Sequence, residues 1–458
     1  MTRALKPNSS NDAKSDTTPL DMRRVMPIFL LVFVDMLGLT LILPLLHIYA
    51  ATYGATPLQI GIVLATFPLA QLVGVPMMGA LSDRFGRKPL LIISQITTCL
   101  SFILLGLAGS LQLIILSRVL DGLFGANIST AQAALSDITD KTNRTRGLGI
   151  TGAAFGLGFI FGPLIAIITF ELTDSLAIVA FTAAIYSFIS ILITTFMFDE
   201  TLPSEKRGNG SDSVVSPLII FRYLSRPLVG MLLVLMFAQQ IIFFGYESLL
   251  GLFTLTQLGL LGQGNAFIFL LIGIILVTVQ TRFIGKWSAK YGEKRLIIGA
   301  LVMLAIGMLL TGTTPEQAHP FYVQELVERD LLEQSASSTE AVIGSIGVSL
   351  PENDTNGLGG VLWLLVAIVP ISIGAGLIRP AINSLITQHV SESEYGQALG
   401  VSSSLVSAAN ASAPLIGGII FQTYGATTPF LLGGVLMTGL VVVTSGFFRK
   451  VTLESTTM

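Results

Sequence analysis

Asp35 stands about ten residues into an apolar run that opens near residue 25. At about 1.5 Å per residue, its depth is about 15 Å, half of a hydrocarbon core about 30 Å thick. An ionised carboxylate there is expensive unless it faces a water-filled cavity or a partner. Burial favours the neutral form of a carboxyl, so a group at this depth can load and release a proton. It can also attract a cationic substrate. A hydrogen-bonded acid that only packs helices is the alternative. Arg118 and Asp121 lie three apart in another run and share one helix face. An arginine keeps its charge and needs a counter-charge at such depth. Asp121 is the nearest in sequence, and a self-neutralised structural pair is one reading of the two.

A third run carries QQIIFFGYESLL, residues 239–250. Gln239, Tyr246 and Glu247 are polar groups among apolar ones, with Phe243 and Phe244 between them. An acid beside aromatic rings suits a lipophilic cation, through charge and cation–π contact. Glu247 is placed near the outer end of its run, where a rim role competes with a binding role. Arg379 and Asn383 sit four apart on one face of a further run. Arg379 either reaches the interface by snorkelling or binds an anionic substrate. His47, His319 and His389 fall at run ends or in a loop and make no ligand cluster, so no metal and no cofactor is expected. No Gly-x-x-x-x-Gly-Lys-Ser/Thr stretch occurs, which argues against ATP-driven work by this chain. No set of acids, His or Ser/Lys stands at catalytic spacing, so an enzyme is not expected.

The elements that must hold these residues follow from composition. The 458-residue chain is 52% hydrophobic and only 11% charged, with a mean hydropathy of +0.79. Soluble domains carry about 25% charged residues. Twelve apolar runs, each long enough to cross a bilayer, lie near 25–47, 57–80, 88–108, 111–136, 146–170, 176–198, 227–252, 264–284, 294–312, 359–388, 397–421 and 427–448. Residues 1–22 read as a disordered cytosolic tail before an uncleaved first span. Of the Lys and Arg residues, all but Arg118, Arg379 and Arg329 fall on one side of the membrane or at its edge. The positive-inside rule then puts both termini in the cytoplasm, most simply of the plasma membrane. The net charge of −2 gives no sign of a nucleic-acid partner, and the lone Cys99 excludes an intrachain disulfide.

Four charges are concentrated in GALSDRFGRKPLL, residues 79–91, between spans two and three. Positive charge belongs on that face, but Asp83 and the regular glycines exceed what anchoring needs. GKWSAKYGEKRLII, residues 285–298, matches it at Gly79/Gly285, Ser82/Ser288, Gly86/Gly292, Lys88/Lys294, Leu90/Leu296 and Ile92/Ile298, an offset of 206. Gly149/Gly400 and Pro163/Pro414 match at an offset of 251, and the difference of 45 sits in the loop 313–358. The chain therefore reads as an all-α membrane protein of twelve transmembrane helices in two pseudo-symmetric six-helix bundles. The expected division is 23–198 and 227–448, with a cytosolic connection 199–226, an external insertion 313–358 and a cytosolic tail 449–458. Parallel repeats of this kind place a binding site near mid-membrane. Within the insertion, Phe321, Leu326, Val327 and Leu331 suggest a short amphipathic helix.

Over nearly its whole length the chain resembles the major facilitator superfamily. The resemblance rests on the loop motif Gly79-x-Leu81-Ser82-Asp83-Arg84-x-Gly86-Arg87-Lys88, the twelve spans and the half-repeat. Span four carries the Arg118/Gly122 element of that family. GLGFIFGP in span five resembles the antiporter motif through Gly158, Gly162 and Pro163, with Ala166 and Ile167 in place of its closing glycine pair. DMLGLTLILPLL in span one resembles tetracycline- and multidrug-type proton antiporters through Gly38 and Pro44. The resemblance implies that Asp83 latches the two halves in the outward-facing state, and that Arg118 governs when a neighbouring acid is protonated. Gly158 and Gly162 allow close helix approach, and Pro163 permits a bend, so a packing hinge is expected.

The expected function is secondary active transport by alternating access, with proton-coupled efflux of a small amphipathic or lipophilic compound (drug:proton antiport). Proton-coupled import of a sugar, an organic acid or another metabolite is the alternative within the fold. A non-transporting receptor is the alternative of another class. The expected partners are a small-molecule substrate, protons and the lipid bilayer, and one chain is expected to suffice as a monomer.

Overall fold

A computed structural model describes residues 22–42, 45–125, 127–139, 144–203, 205, 207, 217–335, 349–353, 356–391 and 394–456. Pro44 and nearly all of the expected N-terminal tail lie outside the described residues. Regular structure within the described residues is helical. The first half of the chain gives α1 (Met22–Ile42), α2 (Leu46–Ala51), α3 (Pro57–Phe85), α4 (Arg87–Gly106), α5 (Leu111–Phe124), α6 (Asn127–Ile138), α7 (Arg144–Thr173) and α8 (Leu176–Met197). After α9 (Pro217–Leu224) come α10 (Pro227–Leu258), α11 (Gly262–Thr278), a π-turn (Val279–Phe283), α12 (Ile284–Tyr291) and α13 (Glu293–Gly312). The chain ends with α14 (Gln324–Ser335), α15 (Gly359–Thr387), α16 (Tyr395–Tyr424) and α17 (Thr428–Thr456). Among the described residues, 12 helices are long and apolar enough to cross a membrane. Span four is α5 with α6, and span eight is α11 with the π-turn and α12.

Local chemistry sets where the helices stop. Thr56 and Gln59 form a capping box ahead of Pro57, and Ser110 and Ser175 cap α5 and α8 through their side chains. Gly86 joins α3 to α4 at φ 107°, and Gly292 joins α12 to α13 at φ 74°. Each donates its N–H to the serine four residues earlier, Ser82 or Ser288. A side chain is strained at such φ values, so glycine is needed at both ends of the repeat offset. The motif expected as a loop is therefore helix on either side of one residue: Gly79 to Phe85 complete α3, and Arg87 already opens α4.

The two corners share geometry and differ in charge. Arg87 donates to Ser82 Oγ at 2.6 Å, and at the matching positions Ser288 donates to Glu293 Oε1 at 2.7 Å.

Within the first six spans, α1 packs on α7 and α8, α4 on α8, and α3 on α5. Within the last six, α13 packs on α15 and α17, and α10 on α16. The two sets meet where α3 crosses α16 and α7 crosses α11. Contacts at the end away from the chain termini are tight. A Cβ on Gly61 would stand 2.5 Å from the Pro414 carbonyl oxygen, and one on Gly418 3.0 Å from that of Pro57. Leu58 N–H donates to Gln422 Oε1 at 3.1 Å. The ring of His47 lies against Gly251 and contacts Asn265 Nδ2 through Nε2 at 3.1 Å. The molecule is thus closed at this end.

The insertion docks on the same end. Gln317 N–H donates to the Gln257 carbonyl at 3.1 Å and His319 N–H to that of Leu258 at 3.0 Å. Tyr322 is buried against Gly259 and donates to the Pro351 carbonyl at 2.9 Å. The expected amphipathic helix is α14, with Val327 buried. Phe321 does not belong to it: this residue precedes the helix and is 90% exposed, because Tyr322 takes the inward position.

Candidate functional site

Span four is not one helix. α5 ends at Phe124, Gly125 donates its N–H to the Asp121 carbonyl at 2.6 Å, and α6 opens at Asn127. A continuous helix was expected over 111–136. Gly125 instead turns out of helical geometry at φ −75° and ψ 51°. Interrupted helices at membrane depth leave backbone and side-chain polar groups free to bind, provided protein or a cavity surrounds them.

Three of the expected residues meet at this break. Asn127 Nδ2 donates to Asp35 Oδ1 at 2.6 Å and lies 3.5 Å from Thr98 Oγ1. Asp35 also lies within reach of the charge of Asp121, whose carboxylate faces Thr98. Arg118 Nη1 pairs with Asp121 Oδ2 at 3.2 Å, as the three-residue spacing implies. Its other nitrogens reach Ser101 Oγ at 3.3 Å and Ser117 Oγ at 3.4 Å, and its guanidinium lies over the Phe102 ring at 5.4 Å. Arg118 and Asp121 are both buried. Ser101 and Thr98 come from α4, Asp35 from α1, Arg118 and Asp121 from α5, and Asn127 from α6. With its acids ionised, the cluster carries two negative charges and one positive. Removing one unbalanced negative charge from water is costly, and a proton or a cation would balance it.

The span-five residues support this site from behind. A Cβ on Gly158 would meet Met36 Cβ at 2.5 Å, and one on Gly162 would collide with the side chain of Thr40. The Thr40 hydroxyl donates to the Gly158 carbonyl at 2.8 Å. α1 therefore runs against α7 with almost no gap along the turns that carry Asp35. Pro163 lies within α7, one residue after Gly162.

The residues of span seven do not join the cluster. Tyr246 is buried, its hydroxyl 3.3 Å from Thr311 Oγ1 of α13 and its ring edge-on to Phe430 of α17 at 5.3 Å. Gln239 is buried and donates to the Met236 carbonyl of its own helix at 3.2 Å. Its neighbour Gln240 reaches Asn410 Oδ1 of α16 at 2.8 Å. Glu247 requires a correction. α10 runs on to Leu258, with Leu249 to Leu258 all buried, so Glu247 lies about three turns below the outer end and is no rim residue. The helix continues because the hydroxyls of Thr254 and Thr256 donate to the Gly251 and Phe253 carbonyls, at 2.9 and 3.2 Å. Asn383 accepts from Ser402 Oγ of α16 at 3.1 Å. Arg379 is exposed about two turns before α15 ends, with no ion pair among the described residues.

At the corner after α3, Asp83 pairs with Arg87 at 2.6 Å, and Arg87 Nε also meets Asp137 Oδ2 of α6 at 3.0 Å. Glu200 accepts the N–H groups of Arg87 and Lys88 at 2.9 and 3.3 Å, so it is the carboxylate seated on the N-terminus of α4. Arg84 stacks over Phe85 at 5.3 Å. Neither Glu200 nor Asn127 belongs to a motif named above. For Asn127, the available signal was a polar residue two positions after a glycine in an apolar run.

The sequence profile of the Major Facilitator Superfamily matches residues 28–323 and 341–456. The chain is 25% identical over 412 residues to the tetracycline resistance protein, class B, of Escherichia coli, covering 89% of this chain and 90% of that one. It is 25% identical over 409 residues to multidrug resistance protein 2 of Bacillus subtilis, with coverage of 89% and 90%. Among solved structures, the human organic anion transporter MFSD10 superposes with a TM-score of 0.66 at 21% identity, covering 93% of this chain and 100% of that one. The nucleoside transporter NupG superposes with a TM-score of 0.68 at 13% identity, covering 93% and 99%.

Proposed function

The chain belongs to the major facilitator superfamily, and on that premise we propose that this secondary transporter exports a small amphipathic or lipophilic compound in exchange for protons. The observation that carries the reading is the cluster of Asp35, Asn127, Asp121 and Arg118 at the break in span four. Its one unbalanced charge suits a proton that is loaded on one side and released on the other. The relatives named for tetracycline and multidrug resistance support the export direction. The closed end described above, with Arg379 exposed toward the other, fits a conformer open to the face that bears the termini. We place that face in the cytoplasm and the protein in the plasma membrane. The boundaries 23–198 and 227–448 mark the two moving bodies in this reading, and a monomer completes the cycle.

Proteoliposomes test the coupling and its direction together. With a pH gradient imposed, an antiporter accumulates ethidium on the acid side, and a protonophore abolishes the accumulation. Ethidium carries a permanent charge, so passive trapping by protonation does not mimic this. Accumulation on the alkaline side would show symport instead, and protonophore-insensitive movement would remove proton coupling. Arg379 favours one second reading, proton-coupled movement of an organic anion, since an unpaired guanidinium at that depth suits a carboxylate. The same vesicles loaded with an organic acid decide between them.

Asp83 has a smaller expected effect. Its pair with Arg87 is partly exposed, and such pairs contribute about 0.2–1 kcal/mol. If it biases one state by that much, Asp83→Asn slows turnover by at most about fivefold while substrate binding stays the same. Turnover equal to wild type would leave Asp83 as a surface ion-pair residue.

A further inference from the structure

Asn127 is 1% exposed, and its two amide atoms are in unequal circumstances. Nδ2 donates to Asp35 Oδ1 at 2.6 Å, whereas Oδ1 is buried with no donor. An ionised carboxylate only accepts, so in that form of Asp35 the amide nitrogen faces it. A buried acceptor left unpaired is costly, and such groups in native structures call for an explanation. The neighbours do not supply a donor. The Thr98 hydroxyl faces Asp121 and lies 3.5 Å from Nδ2. Arg118 is engaged with Asp121, Ser101 and Ser117. The charged residues of α3, α4, α6 and α7 stand in their end turns, and Cys99 points at the Ala184 carbonyl. The one titratable group of α8 is the phenol of Tyr186, and its Ser187 and Ser190 hydroxyls are engaged with Gln95.

We propose that Asn127 is a positioning residue that reads the proton on Asp35. A proton taken from the aqueous phase forms an O–H bond on the second carboxyl oxygen of Asp35. That hydroxyl is the donor Asn127 Oδ1 lacks. Carboxyl and carboxamide then close a ring of two parallel hydrogen bonds, O–H to amide oxygen and N–H to carboxyl oxygen. When Asp35 is ionised, only the N–H bond remains. Because Asn127 opens α6 immediately after the break, the change acts where span four has no continuous helix to resist it. The inference rests on the proton-exchange reading and names the group that senses the proton.

Infrared difference spectra of the full-length protein in lipid, recorded on acidification, test it. Wild type is expected to gain a protonated-carboxyl band that Asp35→Asn removes, at the low wavenumber of an acid hydrogen-bonded through both oxygens. Asn127→Ala is expected to move that band to higher wavenumber and to shift the pH at which it appears. An Asp35 band unmoved by Asn127→Ala overturns the inference and leaves proton exchange standing. No Asp35 band at any pH overturns both. Should Asn127→Ala not fold, wild-type protein isotope-labelled at asparagine gives the same information. One carboxamide band must shift as the Asp35 band appears, and must stay fixed in Asp35→Asn; if no such shift occurs, the inference fails.

Discussion

Asp35→Asn is expected to abolish uphill transport while leaving a folded protein that still equilibrates substrate. One pH unit is worth about 1.36 kcal/mol per proton, a factor of ten in concentration. With one proton per substrate, a gradient of two units sustains an accumulation of up to about 100-fold. In Asp35→Asn the ratio is expected to fall to about one. The fold is expected to survive because the replacement keeps an oxygen for Asn127 Nδ2 and leaves the Arg118–Asp121 pair balanced. Asp121→Asn provides the contrast. It strands the buried Arg118 charge, and breaking such a pair costs about 3–5 kcal/mol. Thermal unfolding separates the two: little change for the first and a clear loss for the second. Gradient-driven accumulation retained in Asp35→Asn would remove Asp35 from the coupling.

Gly418→Leu is expected to drive the molecule out of the conformer described here. The Gly418 Cα faces Gly61 and the Pro57 carbonyl, so an added side chain meets backbone from the other half. Overpacking of this kind costs about 1–3 kcal/mol, and more where backbone is the obstacle. The cost falls only on the state closed at that end. A bias of about 3 kcal/mol shifts a two-state population by a factor of about 150. Labelling of Leu58→Cys by a membrane-impermeant maleimide, in a Cys99→Ser background, is expected to rise accordingly. Unchanged labelling of folded protein would mean that the α3–α16 crossing does not open.

Much of this was legible in the chain. Twelve apolar runs required twelve spans, because backbone in hydrocarbon has no other partner than itself. The offset between Gly86 and Gly292 predicted two like corners, and both adopt positive φ. Arg118 and Asp121 pair because the i,i+3 spacing puts them on one face. Contacts across long sequence separations were not legible. The bond from Asn127 to Asp35 spans 92 residues, and no local pattern marks it. The break at Gly125 was hidden because glycine also serves packing, as Gly158 and Gly162 do. Glu247 was placed too shallow because Thr254, Thr256 and Gln257 look like the end of a span, although the two threonine hydroxyls are satisfied within their own helix.

The inverted charge at the two corners has a consequence for heredity. If the chain arose by duplication, its copies have since ceased to be interchangeable parts. Grafting the second corner into the first would bring Glu293 to the place of Arg87, opposite Asp137, where two acids would repel. Each corner is the complement of its own surroundings, so the two halves are alike in backbone but not exchangeable in charge.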